Sequence, residues 1–191
     1  KPDRCVVCID AILERTSYPN MKLFVMDDGS DDFTHGELVR RFDQNDSVEI
    51  LRHRNCGYLK TANRAARHAI ESGCEAFVFV NSDVLVTHGW LSAMVRGHLR
   101  TGADIVNPMC NQQGPISLPL AEEASMSSPR LSGGVGYKRA GMICSFLPPK
   151  YPPATPAIGA CMFVTSKAWA VRLVYIWLWL RGRVRVLGIA R

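Results

Sequence analysis

An α/β fold with a mainly parallel central sheet is predicted by three features of the sequence. Short apolar segments that fit buried strands alternate with longer segments of helical periodicity. Polar or acidic clusters directly follow two of the apolar segments, as expected at the carboxyl ends of parallel strands. The chain has 191 residues, of which 47% are hydrophobic, so it can bury one sizeable core. Together these features favour a single Rossmann-like domain.

The first half of the chain is predicted to contain an initial helix followed by alternating strands and helices. Residues 4–15 carry apolar side chains at helical spacing and precede the turn Tyr18-Pro19-Asn20. Strands are expected where short apolar runs stop at polar residues, at 23–26, 48–51 and 76–80. Helices are expected where apolar residues recur at helical spacing, at 34–44 and 59–72, the second closed by Gly73.

The second half is predicted to be less regular. A helix at 90–100 and a short strand at 105–106 are followed by a long loop at 111–156 that is rich in Gly, Pro and Ser. A strand at 157–165 and a helix from Lys167 complete a domain that we place at residues 1–170. The tail, 171–191, has five arginines and no acidic residue, which favours an amphipathic or membrane-facing helix. A second interpretation is that the tail was translated in a shifted reading frame.

The charge of the chain does not indicate a nucleic-acid partner. The net charge of +6 comes from 23 basic and 17 acidic residues, without a dominant basic block before the last twenty positions. The same mild excess suits a protein that binds anionic nucleotide diphosphates or lies beside anionic lipid. Peripheral association with a membrane therefore stays open.

The cysteines and the apolar segments predict a cytoplasmic protein, with the inner face of the membrane as a second location. Seven cysteines are an odd number, and their spacing does not suggest a disulfide framework. Cys5 and Cys8 are three residues apart, so they share one face of the first helix, where burial is favoured over a zinc or redox role. The sequence shows no signal peptide and no apolar stretch of about twenty residues that would span a membrane.

Two acidic clusters mark the expected site. Asp27 and Asp28 follow the first predicted strand, where they could bind a ligand or simply cap the next helix. Asp83 follows the most apolar strand, where a carboxylate would be costly unless it binds a partner. Mg²⁺ and Mn²⁺ prefer oxygen ligands, so Asp83 is the predicted ligand of one of these cations.

Several motifs in order resemble family-two glycosyltransferases, which have the GT-A nucleotide-sugar-binding fold. They are Tyr18-Pro19-Asn20, Asp27-Asp28-Gly29-Ser30, Asn55-Cys56-Gly57-Tyr58 with Ala62-Asn63, Asn81-Ser82-Asp83-Val84, Gly89-Trp90-Leu91 and Gly159-Ala160-Cys161-Met162. They span Tyr18 to about Trp169, and the chain looks most similar to the bacterial rhamnosyltransferase-like branch that decorates cell-surface polysaccharides.

The resemblance implies a role for each matching residue. Asp27 would contact the nucleotide base, and Asn81-Ser82-Asp83 would stand where the family has its D-x-D motif, with Asp83 holding the metal on the diphosphate and Asn81 contacting the ribose. Gly57 would allow close approach of the backbone, and Lys60 could reach a phosphate. The implied nucleotide-sugar site is Asp27, Asp28, Gly57, Lys60, Asn81, Ser82 and Asp83. The implied acceptor side is Gly159, Ala160, Cys161 and Met162.

The implied reaction is inverting transfer of a sugar from a nucleoside diphosphate to a glycan or lipid-linked acceptor in polysaccharide biosynthesis. The family takes its general base from an acidic residue in a Gly-Tyr-Gly-Glu-like loop after the acceptor strand, but this sequence has no acid after Glu123. The first strand of the family fold is likewise expected ahead of Lys1. We therefore expect a partial catalytic domain, and the alternative is a non-catalytic fragment for nucleotide binding or interaction.

Overall fold

The computed structural model describes residues 2–110 and 159–170, together with the backbone of residues 185–189. The helices are α1 (Pro2–Arg15), α2 (Asp32–Phe42), α3 (Tyr58–Glu71), α4 (Trp90–Thr101) and α5 (Ser166–Ala170). The strands are β1 (Met21–Asp28), β2 (Val48–His53), β3 (Ala76–Val80), β4 (Ile105–Val106), β5 (Cys161–Thr165) and β6 (Arg185–Ile189). The α/β, Rossmann-like prediction is confirmed. The loop expected at 111–156 lies outside the described residues.

Six strands form one sheet in the order β2-β1-β6-β3-β5-β4. β1 and β2 are parallel, and both β1 and β3 pair antiparallel with β6, so β1, β2 and β3 run in the same direction. β5 pairs antiparallel with β3 and with β4, which gives β4 this direction as well. Four strands therefore share one direction, and β5 and β6 oppose it.

The core lies on both faces of the sheet because successive side chains of a strand point to opposite faces. Val78 and Val80 of β3 pack in the cluster that contains buried residues of α1, α2 and α4. Phe77 and Phe79 pack in the second cluster, against the buried alanines of α3 and Ala168 of α5. All five residues of β3 are buried, as expected for a strand covered on both faces.

The predicted position of the two N-terminal cysteines is confirmed. Cys5 and Cys8 are 3% and 4% exposed, and both belong to the core cluster on the α1 face of the sheet. The Cys8 thiol also donates a hydrogen bond to the Asn81 carbonyl, with a sulfur–oxygen distance of 3.4 Å. α1 is thereby linked to the segment that leaves β3.

The tail contributes a strand to the middle of the sheet. Residues 185–189 form β6, which lies between β1 and β3, so the interpretation of the tail as a helix is wrong for these residues. Five consecutive residue pairs join β6 to β3, from Ala76 with Ile189 to Val80 with Arg185. Residues 171–184 lie outside the described part of the chain. Among the described helices, none is both long and apolar enough to cross a membrane.

Candidate functional site

The carboxyl ends of β1, β2 and β3 lie at one edge of the sheet, because these strands share one direction. This edge collects the polar residues that the sequence singled out. Asp28 at the end of β1 lies in register with His53 at the end of β2, and Asn81 to Asp83 directly follow β3. In Rossmann-like sheets this edge is where ligands bind.

Asp27 is fully buried and hydrogen-bonded within the protein. Its side chain has 0% exposure, Oδ1 accepts a hydrogen bond from the Ser30 backbone N–H at 2.8 Å, and Oδ2 lies 2.8 Å from His35 Nδ1. Burial raises the pKa of Asp27, but the hydrogen bonds from Ser30 and His35 and the nearby His35 charge outweigh it, so the net pKa is lowered. The ionised carboxylate thus fastens the turn after β1 to α2.

Asp28 holds the loop between β2 and α3. Its Oδ1 accepts the Cys56 backbone N–H at 2.7 Å, and its Oδ2 accepts the Gly57 backbone N–H at 3.1 Å. Burial by itself raises the pKa of Asp28. The hydrogen bonds from Cys56 and Thr61 and the charge of His53 lower the pKa by more than burial raises it, so the pKa lies below its ordinary value. Because backbone N–H groups bind the ionised form well, this carboxylate is a firm anchor for the loop.

Gly29 allows the same loop to approach the end of β1 closely. Its φ is +73°, and a Cβ built on it would lie 2.7 Å from the Asn55 backbone nitrogen. A side chain at this position would therefore displace the loop. Gly57 has φ of +81°, but a Cβ on it would meet nothing within 4 Å, so the space in front of Gly57 is open among the described residues.

The N-terminus of α3 points at this edge, because α3 begins just after the loop that follows β2. Gly57 is its N-cap residue and supplies no side-chain cap, and Lys60 in the first turn is exposed. Free N–H groups and the helix dipole make such a terminus favourable for anions. α3 lies close to the sheet because the residues that face it are alanines (Ala62, Ala65, Ala66 and Ala69).

Asp83 is an exposed carboxylate at the same edge, without a hydrogen bond or ion pair to the described residues. Two residues earlier, the backbone N–H of Asn81 donates to the Ala160 carbonyl at 2.8 Å. The side-chain Oδ1 of Asn81 is buried and has no hydrogen-bond partner in the described structure. Ser82 between them is partly buried. Asp83 therefore presents an unpaired carboxylate at this edge, and Asn81 Oδ1 is a buried acceptor without a partner among the described residues.

The segment expected on the acceptor side packs directly beside this site. Gly159 and Ala160 form a turn before β5, and Cys161 at the start of β5 pairs with Val80 at the end of β3. Cys161 and Met162 are 3% and 0% exposed, and burial raises the pKa of the Cys161 thiol. Gly159 and Ala160 are buried as well, so all four residues lie in the interior of the described structure, and their place on the acceptor side stays a prediction.

Sequence reasoning missed a cluster of Asp28, His53 and Cys56. One oxygen, nitrogen or sulfur atom from each lies within 4.8 Å of those from the other two. The spacing His53-x-x-Cys56 is visible in the sequence and could have drawn attention to the pair. The third member, Asp28, comes from a different strand.

The sheet, the flanking helices and the polar edge define a Rossmann-like α/β domain. Residues 3–125 match the family model described as Glycosyl transferase family 2, and the chain belongs to this family. The family indicates a transferase that binds a nucleotide sugar and an acceptor, and its members often use divalent metals. No curated protein and no solved structure matches the chain.

Proposed function

We propose that this domain binds a nucleoside-diphosphate sugar together with Mg²⁺ or Mn²⁺ and serves inverting transfer of the sugar to a cell-surface glycan or lipid-linked acceptor. The observation that carries the proposal is the exposed, unpaired carboxylate of Asp83 at the end of the buried strand β3, in a chain of glycosyltransferase family 2. The rhamnosyltransferase-like branch is part of this proposal, and its support is the order of motifs in the sequence.

The residues around Asp83 fit a hard divalent cation. Asp83 offers a carboxylate without a protein partner among the described residues, and the buried Asn81 Oδ1 has no hydrogen-bond partner there. Mg²⁺ and Mn²⁺ take oxygen ligands and usually keep positions for water and phosphate oxygens. We assign Asp83 to the cation and Asn81 to the ribose. When bound, the cation would neutralise the charge that develops on the leaving diphosphate.

The N-terminus of α3 suits the diphosphate itself. Its first turn offers backbone N–H groups to an anion, Lys60 adds an exposed positive charge, and the open space at Gly57 lets a ligand approach the backbone. Asp28 keeps this terminus in place through its hydrogen bonds to Cys56 and Gly57.

Asp27 is proposed to act at the base site. Both of its oxygens already hold protein hydrogen bonds, to the Ser30 N–H and to His35. The carboxylate has no solvent exposure, and Arg52 Nε lies 3.8 Å from its Oδ2, so Asp27 acts by fixing the positions of Ser30 and His35. A base would therefore be recognised through the groups that Asp27 orients.

A second candidate function is nucleotide binding or interaction without transfer. In this candidate the domain would hold a nucleotide at the same polar edge, at the carboxyl ends of β1, β2 and β3, without transferring the sugar. Turnover assays with a panel of nucleotide sugars, including nucleoside-diphosphate rhamnose, and of glycan and lipid-linked acceptors distinguish the two candidates. Binding of donor without transfer would favour the second.

Calorimetric titration tests the metal site. A nucleoside diphosphate is titrated with and without Mn²⁺ into the wild type, Asp83→Ala and Asp46→Ala. Asp46 is also an exposed acid, but it precedes β2 and so lies at the opposite edge of the sheet. Asp83→Ala should reduce the Mn²⁺-dependent affinity by about tenfold or more, since even the outer partners of metal ligands contribute this much. Equal affinities for the two variants would remove Asp83 from the site.

A further inference from the structure

A cluster of three potential metal ligands, Asp28, His53 and Cys56, lies beside the proposed nucleotide site. His53 Nδ1 is 3.4 Å from Asp28 Oδ1 and 3.8 Å from Cys56 Sγ. Asp28 ends β1, His53 ends β2, and Cys56 lies in the loop that leads to α3. The three side chains therefore meet from three separate parts of the backbone.

The two distances from His53 Nδ1 are close to the edges of a tetrahedral site, and the oxygen and the sulfur lie within 4.8 Å of each other. Zinc binds histidine nitrogen and carboxylate oxygen at about 2.0–2.2 Å and cysteine sulfur at about 2.3 Å. Tetrahedral angles then separate a nitrogen and an oxygen ligand by about 3.3 Å, and a nitrogen and a sulfur ligand by about 3.6 Å. We infer that Asp28, His53 and Cys56 form a binding site for a zinc-type divalent cation.

The ligand chemistry separates this cluster from the site proposed at Asp83. A thiolate and an imidazole favour zinc and similar transition metals, whereas Mg²⁺ prefers oxygen ligands alone. Cys56 and Asp28 are both partly exposed, so water or a donor atom of a ligand could complete the coordination. Three protein ligands with an open fourth position are the arrangement of zinc sites that bind exchangeable ligands.

The surroundings of the cluster orient two of its ligands. Asp28 is held by backbone N–H groups on both oxygens, which leaves it lone pairs for a metal. Cys56 Sγ lies 3.5 Å from Thr61 Oγ1, and a hydrogen bond joins these two side chains. Orientation of ligands by such outer hydrogen bonds is usual at metal sites.

His53 reaches the cluster through its Nδ1. Its side chain is 8% exposed, and its Nε2 is buried without a hydrogen-bond partner among the described residues. Its Nδ1 lies 3.0 Å from the Arg54 carbonyl, which favours a proton on Nδ1. Binding of a cation would move this proton to Nε2, exchange the Arg54 hydrogen bond for a metal bond, and release the Cys56 thiol proton to water.

Cobalt binding provides the direct test. Chelator-treated full-length chain is titrated with Co²⁺, which reports tetrahedral thiolate ligation through intense visible bands and a sulfur-to-cobalt charge-transfer band. We expect these bands to saturate at one Co²⁺ per chain and to be displaced by Zn²⁺. Cys56→Ser should abolish the charge-transfer band, and His53→Gln should weaken binding by about tenfold or more. Cys110→Ser is the matched control, since both thiols are of intermediate exposure, and it should keep the band.

Alkylation of the wild-type thiols gives a second measurement that needs no variant. Zn²⁺ should protect Cys56, identified by peptide mapping, while leaving the reactivity of Cys110 unchanged. Absence of the charge-transfer band, or its persistence in Cys56→Ser, would overturn the inference, as would loss of the band in Cys110→Ser. Asp83→Ala should lose Mn²⁺-dependent nucleotide binding yet retain the cobalt band, so failure of the proposed function and failure of this site are separable.

Discussion

Replacing Gly29 with alanine should loosen the link between the end of β1 and the loop before α3. A non-glycine residue in the left-handed conformation costs about 1–2 kcal/mol. The new Cβ would also lie 2.7 Å from the Asn55 backbone nitrogen, a distance that backbone atoms cannot accommodate without moving. If the loop moves enough to break one N–H bond to the Asp28 carboxylate, a further loss of about 1.5–3 kcal/mol follows. The expected total is about 2.5–5 kcal/mol.

Gly73 provides the control for this substitution. It also has a left-handed φ, +79°, but a Cβ on it would meet nothing within 4 Å. Gly73→Ala should therefore lose only the backbone part, about 1–2 kcal/mol. Urea unfolding gives both free energies, and nucleotide titration shows whether the loop has moved. Equal destabilisation by the two variants would refute the reasoning that the contact with Asn55 matters.

Two further substitutions test buried polar groups near the site. Because the folded pKa of Asp27 lies below its ordinary value of 3.8, its ionised form stabilises the fold above that pH, and this stabilisation is lost as the pH falls through the folded pKa. In urea unfolding at neutral pH, Asp27→Asn should thus be clearly less stable than the wild type, and the difference in stability should shrink below about pH 4. The substitution should also weaken nucleotide binding while leaving the Mn²⁺ dependence of that binding intact. A difference in stability that does not change with pH would contradict the role of the ionised carboxylate. The Tyr58 hydroxyl is buried without a partner among the described residues, and burial raises its pKa to about 12. Tyr58→Phe should therefore stabilise the chain by about 1 kcal/mol in the same assay. It should also remove the loss of stability that the wild type is expected to show between about pH 10 and 12. Marked destabilisation would show that the hydroxyl has a partner.

Local patterns predicted most elements but not their ends. β3 was predicted at its observed bounds because all five residues are apolar and the neighbouring residues are polar. β1 was predicted to stop at Met26, yet it continues through Asp28. Its last two residues, Asp27 and Asp28, pair in register with Arg52 and His53 of β2. Polarity marks a strand end only when the polar residues have no neighbouring strand. β6 depends on pairing with distant strands, so its own composition could not predict it.

The site was predictable to the extent that it depends on strand ends. Strand ends placed Asp27, Asp28 and Asp83 at one edge, and the structure brings them there. The burial of Asp27 depends on His35 and Ser30, whose approach is a matter of tertiary packing. The cluster of Asp28, His53 and Cys56 depends on the close approach of the loop before α3 to the end of β1, which the absence of a side chain at Gly29 allows. Sequence spacing alone contains neither of these contacts.

The position of β6 makes folding of this sheet strongly non-local. Its partners in β3 lie on the order of a hundred residues earlier in the chain, so closing the centre of the sheet requires a large loss of chain entropy before any ladder hydrogen bond forms. Until then, β1 and β3 expose inner edges with unpaired backbone groups, which other extended chains could join. The topology therefore has a high contact order, which favours slow folding. The edges of β1 and β3 are covered by β6 only late in folding, which creates a risk of strand pairing between molecules.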